Sequence, residues 1–190
     1  MTYQDPFDNW RNLSGRLGEL DEFSSQVSDT ELGHIARQAV LVFAWEAFVV
    51  YLVEELFERV AAWVPDQPMF NIELVESEKR AATRNYDQLK RRYNWAGLRL
   101  SEVKNWGQVE QVRLHRNALV HNGGRFTRDY LTGPHPRRPP DSVFGSSTNE
   151  SLVDSEEIPL DDGNLVESMD FLFEASKLVR HYLDHPDRVP

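Results

Sequence analysis

The sequence predicts an all-α fold, a helical bundle of about four to five helices with a long loop or small hairpin insertion late in the chain. Three observations predict it. Apolar residues recur at three- and four-residue spacing along most of the chain, helix start and stop signals flank the periodic stretches, and the prolines that would break helices gather in one region. Phe7, Trp10, Leu13, Leu17 and Leu20 keep the helical spacing and give a first helix of about 15 residues. Ser28-Asp29-Thr30-Glu31 has the form of a capping box, and the apolar residues from Ile35 to Trp63 make a second helix that ends before Pro65. It is the longest of the chain. Between residues 40 and 56 it is apolar nearly all round, so it is expected at the centre, packed on more than one side or buried at a dimer interface.

A third helix is expected within residues 74–93, followed by a break near 94–100. The next runs from Ser101 or Trp106 to Val120, with Trp106, Val109, Val112 and Leu119 facing inward and Gly123-Gly124 as its left-handed stop. Between Gly123 and Gly163 the prolines at 134, 136, 139 and 140 cannot sustain a helix, which predicts a long excursion with a short hairpin from residues 141–144 and 151–160. Leu165, Met169, Leu172, Val179 and Leu183 then define a last helix, capped by Asp161 or Asp162. Trp45, Trp63, Trp95 and Trp106 are read as core residues.

At 190 residues, with 40% apolar and 27% charged side chains, the chain is expected to form one domain over residues 1–190, its core about 28–185 and its loop-rich insertion 123–163. No cysteine occurs, so disulfides and thiolate chemistry are excluded, as suits a reducing cytoplasm. The segment Met1 to Pro6 has neither a basic region nor an apolar core, and no secretory signal is expected. The most apolar run, residues 39–53, is too short to span a bilayer and carries Glu46, so no membrane association is expected. A net charge of −10 argues against a protein that grips nucleic acid over its whole surface. Charge is unevenly placed, however. Between residues 111 and 138, Arg113, Arg116, Arg125, Arg128, Arg137 and Arg138 stand with His115, His121 and His135 against the single acid Asp129, whereas residues 139–176 hold acids and no Lys or Arg. Such a basic neighbourhood would localise a phosphate; its ordinary alternative is a solvated loop.

Arg116-Asn117-Ala118-Leu119-Val120-His121 sets an Arg and a His five residues apart at the end of that helix. A guanidinium holds two phosphate oxygens in a fixed fork, and imidazole titrates nearest neutrality, so the pair suits phosphodiester chemistry. Five residues are about 140° of helical rotation, which splays the two side chains unless the last turn tightens or unwinds. Asn117 would orient the phosphate or the His. Glu46, within an apolar stripe, is either a polar partner buried against an arginine such as Arg116 or a group facing solvent. His181 and His185 share a helix face at metal-ligand spacing, but no third ligand accompanies them and no metal site is expected.

The Arg-polar-x-x-x-His pattern resembles the catalytic motif of the HEPN superfamily of small helical domains found in prokaryotic toxin, antiviral-defence and RNA-processing proteins. The segment Ala44-Trp45-Glu46-Ala47-Phe48-Val49-Val50-Tyr51-Leu52-Val53-Glu54-Glu55 looks like the long helix that precedes the motif in the ribonuclease-L-like HEPN branch, and together the likeness covers residues 28–185. The resemblance implies a metal-independent endoribonuclease needing no cofactor, with Arg116, His121 and Asn117 catalytic; the charge pattern adds Arg113, Arg125 and Arg128 as RNA-binding residues, and the interrupted apolar stripe adds Glu46 in support. It also implies a homodimer that places two motifs across a two-fold axis, and regulation by an antitoxin or other protein. Many such toxins are silenced by modification of a Tyr two residues beyond the His; Gly123 stands there, so this chain departs from that route. The competing class is a non-catalytic HEPN-like module for dimerisation or for binding a nucleotide or partner.

Overall fold

The computed structural model describes residues 6–25, 31–63, 72–135 and 157–185. The architecture is all-α: seven helices and one 3-10 turn among the described residues, and no strand. Helix α1 (Pro6–Ser25) lays Leu13 and Leu17 against α2 (Glu31–Trp63). The 33 residues of α2, roughly 50 Å of helix, form the axis of the bundle. Most of its near-continuous apolar surface is covered: Leu41, Ala44, Phe48, Leu52 and Leu56 are all buried, and α1, α3, α4, α5 and the last helix pack around them, whereas Phe43 and Val50 of the same span stay exposed.

One expected helix is two. Helix α3 (Ile72–Arg84) and α4 (Tyr86–Trp95) part at Asn85, whose extended backbone lets its side-chain oxygen accept hydrogen bonds from the N–H groups of Asp87 and Gln88 at 3.1 and 3.2 Å. An asparagine that satisfies two orphan donors of a new helix outcompetes continuation of the old one. Gly97, at φ +86°, closes α4 in the expected break, and a 3-10 turn (Leu100–Glu102) leads into α5 (Trp106–Asn122). In α5, Trp106, Val109 and Val112 are buried as expected, and Leu119 packs half-buried on the core. Trp45 and Trp106 are core residues; Trp95 is 80% exposed, because α4 ends on it and points it away from the bundle. The side chain of Trp63, the capping-box residues 28–30 and Pro65 lie outside the described positions.

The excursion after α5 is anchored at both ends. A short helix α6 (Arg128–Leu131), unexpected from the sequence, is capped by the Thr127 hydroxyl accepting from the Tyr130 N–H at 3.1 Å. Phe126, Tyr130 and Leu131 bury themselves with Ala118 and Ile158 in a second apolar cluster. Ile158 returns to donate its N–H to the Gly124 carbonyl at 2.8 Å, and Arg125 bridges antiparallel to Glu157. Residues 141–144 and 151–156 of the expected hairpin, with Arg137 and Arg138, lie outside the described residues. Asp161 caps α7 (Asp162–Asp184) by accepting from the Asn164 N–H at 2.7 Å, and α7 closes the bundle against α1, α2 and α5. No helix among the described residues is long and apolar enough to cross a membrane.

Glu55 on α2 is 1% exposed and neither carboxylate oxygen accepts a hydrogen bond among the described residues. Burial pushes its carboxyl from 4.5 up to about 7, against the attraction of Arg180 and Arg59 and with smaller repulsion from Glu58 and Asp184. A folded-state value above the unfolded one makes the contribution of this group to stability complete below pH 4.5 and lost as pH rises through about 7. Glu55→Gln should therefore flatten the pH dependence of stability by about 3 kcal/mol across that window. Urea unfolding at pH 5 and pH 8 checks this; a variant with the wild-type slope would show that Glu55 ionises freely.

Candidate functional site

Helix α5 runs antiparallel to α2, with Phe48 tilted on Trp106 at 6.1 Å near its start, Glu46 opposite Arg116, and Gln38 beside Gly124 at its end. The Gly123-Gly124 stop works as its residue types predict. Both glycines are left-handed, at φ +58° and +81°, and the Gly124 N–H returns to the Ala118 carbonyl at 3.1 Å. Gly124 also lets α2 approach, since a β-carbon there would stand 3.1 Å from Gln38 Nε2.

Arg116 is half-buried on the wall of a cleft of about 490 Å³ between α2, α5 and the junction of α3 with α4. Its guanidinium is held from two directions: Nη2 is paired with Glu46 Oε1, and Nη1 donates to Asn117 Oδ1 at 3.2 Å. Glu46 pairs with Arg116 but keeps 43% side-chain exposure, so it is a partner for the arginine that still faces water and not the buried one expected. Arg113 lines the same cleft, donating from Nε to Glu110 Oε2 at 2.7 Å and lying over the Tyr86 ring at 5.5 Å from its centroid. Arg84 and Asp87 complete the lining charges, so that three arginines face two carboxylates.

The structure thus brings Arg113, Arg116, Asn117 and Glu46 together and leaves His121, Arg125 and Arg128 elsewhere. Helix α5 stays α-helical through Asn122, so the last turn neither tightens nor unwinds, and His121 sits exposed in that turn, splayed from Arg116. Arg125 and Arg128 are exposed, on the Glu157 bridge and at the start of α6 respectively. Nearby, His34 Nε2 meets Gln38 Nε2 at 2.7 Å and Glu157 Oε2 at 3.1 Å, a polar cluster packed beside Gly124. His115, counted with the basic neighbourhood, is instead 2% exposed with its ring edge-on to Tyr130 at 5.5 Å.

The wall formed by Arg84, Tyr86 and Asp87 escaped sequence reasoning. Its available signal was Asn85-Tyr86-Asp87, an N-cap residue with an acid in the following first turn. Among the described residues no three metal-ligating side chains converge, and His181 packs ring to ring on His185 at 5.0 Å and on Tyr182 at 5.8 Å. Chemically the cleft offers a pre-oriented guanidinium at a polar opening large enough for a phosphate and its flanking sugar. No family model matches the chain, and no curated protein or solved structure matches it.

Proposed function

We propose that this protein is a metal-independent endoribonuclease of the HEPN type, a prokaryotic toxin or defence effector acting in the cytoplasm. The observation that carries the reading is Arg116, its fork oriented by Glu46 and Asn117 at the wall of an open cleft, with His121 exposed beyond it on the same helix. In this reading the 2′-hydroxyl of RNA attacks the adjacent phosphorus, the P–O5′ bond breaks, and a 2′,3′-cyclic phosphate and a free 5′-hydroxyl result. Arg116 stabilises the charge developing on the phosphoryl oxygens. His121 moves the proton, and Asn117 keeps the guanidinium in register. Arg113 widens the positive field of the cleft, while Arg125 and Arg128 meet the strand outside it.

One histidine per chain serves poorly as both base and acid, which favours a homodimer. Leu32, Ile35, Phe43 and Val50 are all exposed on α2 and lie within about 80° of one another around it, on the face that also carries Glu46. A second copy covering that face would bring two Arg116–Glu46 pairs together and supply the second His121. An antitoxin or other regulatory protein is the partner such an activity requires.

Incubation of the purified chain with end-labelled RNA in EDTA tests the reading. The expected result is undiminished cleavage that leaves 2′,3′-cyclic phosphate ends and spares DNA of the same sequence. A requirement for Mg²⁺, or equal cutting of DNA, would sink it. The second reading, a non-catalytic module for dimerisation or for binding a nucleotide or partner protein, draws on the occupation of Arg116 by Glu46 and predicts no RNA cleavage.

A further inference from the structure

Residues 79–116, which run from the end of α3 through α4 into α5, hold ten of the 21 Lys and Arg and three of the 31 Asp and Glu, on a chain of net charge −10. Six of those cations are matched to carboxylates. Arg80, Arg84, Arg91 and Lys104 are exposed and make no ion pair among the described residues. Arg84 stands on the lining of the Arg116 cleft, and α4 begins there with Tyr86 and Asp87.

Helix α4 carries this charge outward from the cleft. Leu89 and Tyr93 bury its inner side, the Tyr93 hydroxyl donating to the Leu52 carbonyl at 2.8 Å. Asp87, Arg91 and Trp95 recur at every fourth position, so they share one outer stripe about 80° wide, and all three are exposed. The stripe starts at the cleft with Asp87 and ends about 12 Å away at Trp95. Lys90 meets the Asp87 carboxylate at 3.1 Å, which leaves the Arg91 guanidinium unmatched. Trp95 is 80% exposed, makes no ring contact among the described residues, and is the one exposed large apolar side chain between residues 79 and 116. Tryptophan is highly buried on average, so a ring left in water beside an unmatched arginine is a marked departure. That combination is how sequence-tolerant sites hold a single strand of nucleic acid: a base stacks on the ring while the cation meets the backbone phosphate. A bilayer or an apolar protein partner would call for several neighbouring apolar side chains, and this ring stands alone among cations. A second copy docked through the same stripe would set Arg91 against Arg91.

We propose that the outer stripe of α4 is a track for single-stranded RNA, in which Trp95 stacks an unpaired base and Arg91 and Arg84 lead the backbone into the Arg116 cleft. The proposal rests on the reading of that cleft as an RNA site and adds that the substrate is unpaired there. Its test is fluorescence anisotropy of the full chain with a labelled 2′-O-methyl RNA of about a dozen unpaired nucleotides, which lacks the attacking hydroxyl and stays intact. The wild type should bind this strand, and more tightly than its duplex. Trp95→Ala should weaken binding roughly fivefold or more, the loss of one stacked base. Trp95→Phe should recover most of that affinity and Trp95→Leu little of it. Arg91→Gln should lower the slope of log affinity on log salt by about 0.7. Circular dichroism should not change, since both side chains are exposed. On cleavable RNA, Trp95→Ala should raise KM more than it lowers kcat. Strand binding that Trp95→Ala weakens, in a chain that cuts no RNA, keeps the track and ends the ribonuclease reading. Cleavage whose KM, like strand binding, is unmoved by Trp95→Ala ends the track and keeps the ribonuclease. The track is also overturned by a wild type that binds no strand, by Trp95→Leu binding as well as the wild type, or by Trp95-dependent binding that is tighter to phosphatidylserine vesicles than to the strand.

Discussion

Arg116→Ala is expected to lower RNA cleavage by about 10²–10³-fold, the usual cost of removing one pre-oriented group that stabilises transition-state charge. The loss should fall on kcat more than on KM, because the guanidinium meets its full counter-charge only as the phosphorane forms. Little stability should go with it. Arg116 and Glu46 are both partly exposed, and a pair of that kind contributes about 1 kcal/mol or less. Arg116→Lys keeps the charge but not the fork that Glu46 and Asn117 orient, so most of the loss should remain. His121→Ala should cost roughly 10²–10⁴-fold through lost proton transfer, again with circular dichroism unchanged, since His121 is exposed and its turn is held by the Gly123-Gly124 stop. Undiminished cleavage by either folded variant would remove the proposed site.

What was legible in the sequence was local. The glycine stop after α5, the aspartate cap of α7 and the buried side of α2 are each decided by a few neighbouring residues, and each stands in the structure as its chemistry dictates. The Asn85 break was not legible, because an asparagine within an amphipathic run becomes a cap only when its side chain turns onto the N–H groups of Asp87 and Gln88. The α6 cluster was hidden for a different reason. Phe126, Tyr130 and Leu131 look like stray apolar residues of a loop until Ile158 returns to pack on them. The site divides the same way. Its helix and the Glu46–Arg116 pairing could be posed from spacing and the cost of a lone carboxylate, whereas the Arg84–Tyr86–Asp87 wall and the burial of His115 depend on which helices meet.

Phe43→Asp is expected to abolish both the dimer and cleavage without unfolding the chain. Phe43 is 62% exposed on α2, so a monomer loses little core by its replacement, but a carboxylate at the centre of the Leu32, Ile35 and Val50 stripe would be buried beside its symmetry mate. Two like charges desolvated across a two-fold axis disfavour association, and an isolated monomer leaves each phosphate with one histidine. Light scattering should give twice the 22.1 kDa chain mass for the wild type and the single mass for the variant, whose cleavage should fall more than about 10²-fold. The splaying of Arg116 and His121 along α5 makes a sharper version of the experiment available. If the site is shared, the Arg116 of one chain works with the His121 of its partner, and mixing the two inactive variants Arg116→Ala and His121→Ala should restore cleavage in the heterodimers. A wild-type monomer that cleaves at full rate, or mixed variants that stay inactive although they exchange subunits, would place all the proton transfer on one histidine and end the shared-site reading.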